Sequence, residues 1–296
     1  MAAYEDLYWW ANDGTRLHAR DYAPKDADAG ARPPILCLPG LTRNARDFEA
    51  VAQHLAQRWR VIVVDFRGRG ESGYAKDPMS YVPLTYVQDV QALLNELGCE
   101  RYIAIGTSLG GIVTMLLAGA ARQRMIAAVL NDVGPEIDPA GLARIRTYVG
   151  KTSAWPTWVH AARALAESNA DVFPDYALKE WLVMAKRLYR LNTSGRIVLD
   201  YDMKIAEPFR VPGNEAGPDM WRALARLAGV PVLIVRGALS DILPAGVAER
   251  MVQALGDARV ATIPNVGHAP TLEEPEARAA IDTLLDQLAP TTAAIA

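Results

Sequence analysis

The chain has 296 residues, 51% of them apolar and 22% charged, with a net charge of −3. This is the balance of an ordinary globular protein, long enough for one large core or one core with an insertion. The absence of a basic excess or a basic run gives no reason to expect nucleic acid or an anionic membrane as partner.

Two cysteines, Cys37 and Cys99, lie in or beside apolar runs and read as buried free thiols. Four dispersed histidines speak against a structural zinc site. The start, Met1-Ala2-Ala3-Tyr4-Glu5-Asp6, has no basic stretch ahead of an apolar core, and no apolar segment is long enough to span a bilayer. A cytoplasmic, reducing location is the expectation.

In chain order, alternating runs at 7–11 and 16–22 flank Asn12-Asp13-Gly14, a hairpin signal. A Pro/Ala/Asp-rich loop over 24–34 precedes a strand at 35–38, a helix around 45–58 and a strand at 61–65. A helix around 84–97, a strand at 102–105, a helix at 112–121 and a strand at 125–131 follow. Runs such as Val61-Ile62-Val63-Val64 are apolar on both faces, as in a parallel sheet covered by helices on both sides. The alternation predicts an α/β fold.

The rhythm stops at Gly134-Pro135. Helix-like segments with little strand signal continue to about Pro218 and hold Trp155, Trp158, Trp181, Met184, Tyr189 and Tyr201. Strand signal resumes at 230–235, with a helix at 245–255, a strand at 259–263, a last helix at about 276–288 and an Ala-rich tail, 289–296, expected to fray. Residues 1–134 and 218–296 read as a core domain, and 135–217 as a helical cap inserted in it.

Gly106-Thr107-Ser108-Leu109-Gly110-Gly111 joins the strand at 102–105 to the helix at 112–121. This is G-x-S-x-G in the strand–turn–helix context that exposes a serine oxygen at a helix N-terminus, where unpaired N–H groups favour developing negative charge. Ser108 is the candidate nucleophile. A serine needs a base, and the base needs an orienting group. His268, in a loop directly after a late strand, is the best-placed histidine; His18, His54 and His160 read as packing or surface residues.

The orienting acid should follow a strand and precede the histidine. Asp241, beyond the strand at 230–235, is the first choice. Asp132, at the end of the strand at 125–131, is its rival, with backbone N–H bonding in a loop as its plainer role. For the oxyanion, the N–H of Leu109 is one candidate donor and the N–H of Leu41, in Pro39-Gly40-Leu41-Thr42, the other.

These residues resemble the α/β-hydrolase superfamily, in its cap-bearing serine-hydrolase branch, over nearly the whole chain. The resemblance rests on Leu38-Pro39-Gly40-Leu41, Asp65-Phe66-Arg67-Gly68-Arg69-Gly70-Glu71-Ser72, Gly106–Gly111, Gly237–Asp241 and Gly267-His268. It implies a mostly parallel eight-stranded sheet covered by helices, with a helical cap. It makes the D-x-R-G-x-G-x-S loop structural, so Asp65 and Arg67 are not expected to be catalytic. Pro39 stands where His is common, which leaves the backbone donor of Leu41 intact.

The expected activity is that of a carboxylesterase working through an acyl-enzyme on a small-molecule ester or related carbonyl compound, with no metal or organic cofactor. An alternative is a C–C bond or enol-lactone hydrolase with the same triad, whose carboxylated substrates need a cap cation such as Arg163, Lys186, Arg187, Arg190 or Arg196. A second alternative is a ligand receptor on the same fold. Acyl chain length and oligomeric state have no sequence signal.

Overall fold

Strand β1 (Glu5–Trp10) and strand β2 (Arg16–Tyr22) form the hairpin that Asp13-Gly14 signals, with Gly14 at φ +76° in the turn. Strands β3 (Ile35–Leu38), β4 (Val61–Asp65) and β5 (Tyr102–Thr107) are buried at every position. Together with β6 (Met125–Asn131), β10 (Val232–Gly237) and β11 (Ala258–Ile263) they complete an eight-stranded sheet in the order β1-β2-β4-β3-β5-β6-β10-β11. The pairings β1–β2 and β2–β4 are antiparallel and all others are parallel. The computed structural model describes residues 4–26, 32–211 and 218–288. The centre of the loop at 24–34, the end of the insertion and the tail at 289–296 lie outside the described residues.

Alternate strand residues feed two cores. Leu36, Leu38, Ile62 and Val64 pack on one face, under α2 (Pro83–Glu96), α3 (Leu109–Ala121) and α8 (Ala245–Leu255). Ile35, Cys37, Val61 and Val63 pack on the other, under α1 (Glu49–Leu55) and α9 (Pro275–Leu288). This is the period-two consequence of strands buried on both sides. The helix expected at 45–58 is a 3₁₀ turn, Ala45–Phe48, followed by the shorter α1.

Between β6 and β10 lie α4 (Pro139–Tyr148), β7 (Ala154–Trp155), α5 (Trp158–Asn169), α6 (Leu178–Leu188), β8 (Tyr189–Leu191), β9 (Ile197–Leu199), a 3₁₀ segment (Met203–Arg210) and α7 (Met220–Ala225). The short strands form a second antiparallel sheet, β7-β9-β8. The sequence reading of this region as helical missed it, because strands of two or three residues are too short to show alternation. No helix among the described residues is long and apolar enough to cross a membrane.

The D-x-R-G-x-G-x-S loop fastens this region to the sheet. The Asp202 N–H donates to the Gly68 carbonyl and the Gly70 N–H to that of Asp200, and Arg69 bridges Tyr201. Buried Asp200 accepts from Asn44, at 3.3 Å, and from Arg46, at 2.6 Å. Below the loop, Arg67 makes a paired contact with Asp89, 2.7 Å at each oxygen. Asp65 accepts from the backbone N–H groups of Ala45 and Glu71.

Candidate active site

Ser108 follows β5 and caps α3 with φ 52° and ψ −115°. That left-handed, strained backbone is costly for a residue with a Cβ and lifts its side chain out of the strand-to-helix turn. The turn closes only because its neighbours lack side chains. A Cβ on Gly110 would stand 1.9 Å from the Leu38 carbonyl oxygen, and one on Gly106 would stand 2.3 Å from that of Gly110. Both lie inside contact distance of backbone atoms, so neither can be relieved by a rotamer change.

His268 follows β11. Its Nε2 is 2.9 Å from Ser108 Oγ, and its Nδ1 is 2.8 Å from Asp132 Oδ2. An ionised carboxylate only accepts, so the ring proton sits on Nδ1 and leaves Nε2 free to take the serine proton. Asp132 is fully buried and sits at φ 54°, a conformation that aspartate tolerates better than most residues. Its carboxylate also accepts from Gly237 N, at 2.9 Å, and Ser240 Oγ, at 2.6 Å.

The structure therefore corrects the choice of acid: Asp132, and not Asp241, meets His268. Both follow strands that pair side by side, β6 and β10. After β10 the Ser240 hydroxyl accepts the N–H groups of Ile242 and Leu243 while it donates to Asp132. That tight turn leaves Asp241 pointing to the rim, where Arg144 of α4 binds it at 2.5 and 2.8 Å. The Arg144 hydrogen bonds hold the Asp241 carboxyl below its usual range, and partial burial opposes them.

Asn131 supports the site from below. Its side-chain amide donates to Thr107 Oγ1 at 3.0 Å and to the Pro270 carbonyl at 2.8 Å, tying the histidine loop to β5 and β6. The loop after β3 passes beside the serine, since a Cβ on Gly40 would lie 3.7 Å from the Ser108 Cβ. Leu41, next in that loop, lines the same cavity as Ser108 and His268. Leu109 opens α3, where N–H groups have no intrahelical acceptor.

Arg69 is the residue that sequence reasoning missed. It is fully buried, its Nε donates to the Leu41 carbonyl at 2.9 Å, and its Nη1 donates to the Arg67 carbonyl and to Tyr86 Oη. Its position between two glycines of the loop motif carries no signal that it reaches the Leu41 strand-end loop.

The other histidines do different work. His18 is buried between Asp65, 2.7 Å from its Nδ1, and Asp6, 2.9 Å from its Nε2. With an acceptor at each nitrogen, both must carry protons. Burial works against that charge, but the hydrogen bonds and charges of Asp65 and Asp6 prevail and raise its pKa. His54 pairs with Asp282 on the surface, and His160 contacts the capping Thr157.

The cavity above Ser108 has a volume of about 570 Å³. Of the insertion's aromatic and methionine residues, Tyr148, Trp155, Met184, Tyr189 and Tyr201 line it, whereas Trp181 is buried against Phe173 and Tyr176. None of the five basic residues expected to meet an acidic substrate lines it: Arg187 pairs with Glu273, Arg190 with Asp200, and Arg196 with the Ala154 carbonyl. Arg43, Arg144 and Lys151 line it instead. Among the described residues no three His, Cys, Asp or Glu side chains converge as a metal site.

The chain as a whole is similar to several known proteins. A crystal structure of an alpha/beta hydrolase from Novosphingobium aromaticivorans superimposes with a TM-score of 0.92 at 56% identity, over 97% of this chain and 99% of that one. A 3-hydroxybutyrate-oligomer hydrolase from Cupriavidus necator is 35% identical over 253 residues, 83% of this chain and 86% of the relative. A pimeloyl-[acyl-carrier protein] methyl ester esterase from Nitrosomonas europaea is 28% identical over 260 residues, 83% of this chain and 93% of the relative. The sequence profile of the alpha/beta hydrolase family matches residues 35–281, most of the chain. With its eight-stranded sheet and flanking helices, the chain belongs to the alpha/beta hydrolase family.

Proposed function

We propose that this hydrolase is a carboxylesterase acting on short hydroxy-acid esters through a Ser108–His268–Asp132 triad. The observation that carries the reading is the continuous hydrogen-bond line from Ser108 Oγ through both imidazole nitrogens to a buried carboxylate. Ser108 attacks the ester carbonyl as His268 Nε2 takes its proton, and Asp132 stabilises the imidazolium. The oxyanion accepts from the N–H groups of Leu41 and Leu109. The tetrahedral intermediate expels the alcohol, which leaves with the proton from His268. Water, deprotonated by His268, then attacks the acyl-enzyme and releases the acid and free Ser108.

The hydroxy-acid assignment draws on the relative from Cupriavidus necator, named for 3-hydroxybutyrate oligomers, whose units are joined by ester bonds. The insertion at 135–217 serves as the cap over the site, and the two free thiols suit the reducing cytoplasm. The cations at the cavity favour a second reading, hydrolysis of a carboxylated C–C or lactone substrate by the same triad.

The test measures release of 3-hydroxybutyrate from its linear dimer, and of p-nitrophenol from acyl esters of increasing length, by wild type and Ser108→Ala. Turnover of both, lost in the variant by at least about three orders of magnitude, is the expected result. Folded wild-type protein that cleaves no open-chain ester but hydrolyses carboxylated dienones or enol-lactones overturns the carboxylesterase reading for the second one.

A further inference from the structure

We infer that Arg144 and Lys151 form a carboxylate subsite at the mouth of the cavity, which selects esters whose leaving or acyl part ends in a free acid. The inference rests on the esterase reading above and deepens it.

The charges in the cavity decide the matter. Arg43 is matched by Asp47, at 3.2 Å. Arg144 is matched by Asp241, but only through Nε and Nη2. Its Nη1 makes no hydrogen bond to any described residue, and its side chain is one-third exposed. Lys151 is exposed, lines the same cavity and has no anionic partner among the described residues. The cavity lining therefore presents one uncompensated positive charge and one open guanidinium edge. An anionic group on the ligand completes that set, and a carboxylate matches both.

The guanidinium is held in place before a ligand arrives. Its helix, α4, docks on the loop after β10: the Asp138 N–H donates to the Ile242 carbonyl at 3.0 Å. A Cβ on Gly141 would lie 2.1 Å from the Asp241 carbonyl oxygen, so helix and loop touch backbone to backbone. Asp241 then fixes the plane of Arg144 through two bonds. Tyr148, one turn further along α4, lines the same wall. Asp241, which the sequence offers as a triad acid, thus acts on substrate choice through Arg144.

A linear hydroxy-acid oligomer carries such a group by its own chemistry: every unit is an ester except the last, which ends in a carboxylate. Ser108, Arg144 and Lys151 line one cavity, so an oligomer with its scissile carbonyl at Ser108 can extend its free end toward the two cations.

The experiment compares kcat/KM for the 3-hydroxybutyrate dimer as free acid with the same dimer capped as a primary amide. Wild type is expected to favour the acid by about tenfold, mainly in KM, with the preference shrinking as salt rises. Arg144→Gln and Lys151→Gln are each expected to reduce that ratio by at least about threefold, and Arg144→Lys to restore part of it. Lys151 has no described ionic partner, so its variant decides the matter if Arg144→Gln folds poorly. Equal rates for acid and amide in wild type, or an undiminished preference in Lys151→Gln, overturn the subsite and leave the esterase reading standing. Cleavage of neither dimer nor any p-nitrophenyl ester overturns both.

Discussion

Replacing Asp132 by Asn keeps size and shape and alters only which atoms can accept. Asp132 Oδ2 receives His268 Nδ1–H and Ser240 Oγ–H, at 2.8 and 2.6 Å, while Oδ1 receives Gly237 N–H at 2.9 Å. An amide has one acceptor to serve both sides. If its oxygen faces Gly237, its NH₂ meets Nδ1, which must then give up its proton. The imidazole proton moves to Nε2, and Ser108 loses its base. If the oxygen faces His268, the NH₂ meets the Gly237 N–H, and two buried donors face each other at a cost of about 1–3 kcal/mol.

In the first arrangement the NH₂ also meets the Ser240 hydroxyl, but that hydrogen can rotate away whereas the Gly237 N–H is fixed, so the inactive tautomer dominates. Loss of the base in comparable triads lowers kcat by about 10⁴, or about 5.5 kcal/mol of barrier. Asp132→Asn should therefore cut kcat for p-nitrophenyl butyrate by roughly three to four orders of magnitude, with KM changed by less than about threefold. Asp241→Asn, which removes no hydrogen bond to His268, should lose no more than about tenfold on the same neutral ester. Melting curves establish that both variants are folded. A kcat for Asp132→Asn above a tenth of wild type, or a thousandfold loss in Asp241→Asn, would refute the assignment of the acid.

Arg69→Met removes the bond from Nε to the Leu41 carbonyl, so the loop that carries the Leu41 N–H loses its anchor. The expected result is a fall in kcat of about one to two orders of magnitude at similar KM, since losing an oxyanion donor outright costs about 10²–10³. A lower melting temperature with unchanged kcat would make Arg69 purely structural. The raised pKa of His18 gives stability a definite pH sense: the folded state binds that proton more tightly, so the contribution is complete below the unfolded value of 6.5 and fades as pH rises through the higher folded value. The melting-temperature loss in His18→Gln should accordingly be larger at pH 6 than at pH 9, and an equal or larger loss at pH 9 would contradict the charged pair of contacts.

Local patterns reach as far as local physics does. The strands β3, β4 and β5 are legible because burial on both faces requires unbroken apolar runs. Ser108 is legible because a positive φ and two backbone approaches below 2.5 Å leave Gly106 and Gly110 no substitute. His268 is legible because only one histidine follows a late strand. The small sheet β7-β9-β8 is not, since pairs and triplets of residues carry no period.

The acid marks the boundary between the two kinds of information. Asp132 and Asp241 each follow a parallel strand, each precedes His268, and each keeps the order serine, acid, histidine. Their difference lies in direction. Asp132 turns inward at φ 54° beneath the imidazole, while the Ser240 hydroxyl tightens the next loop and turns Asp241 outward to Arg144. Those turns depend on strand β6 lying between β5 and β10, and on a helix from the insertion docking beside them. Sequence alone determined the α/β architecture, the strand–turn–helix at Ser108 and the loop that carries His268. Only the packing of neighbouring strands decided which carboxylate faces the histidine and which faces the cavity mouth, because side-chain direction at a strand end is set by contacts remote in sequence.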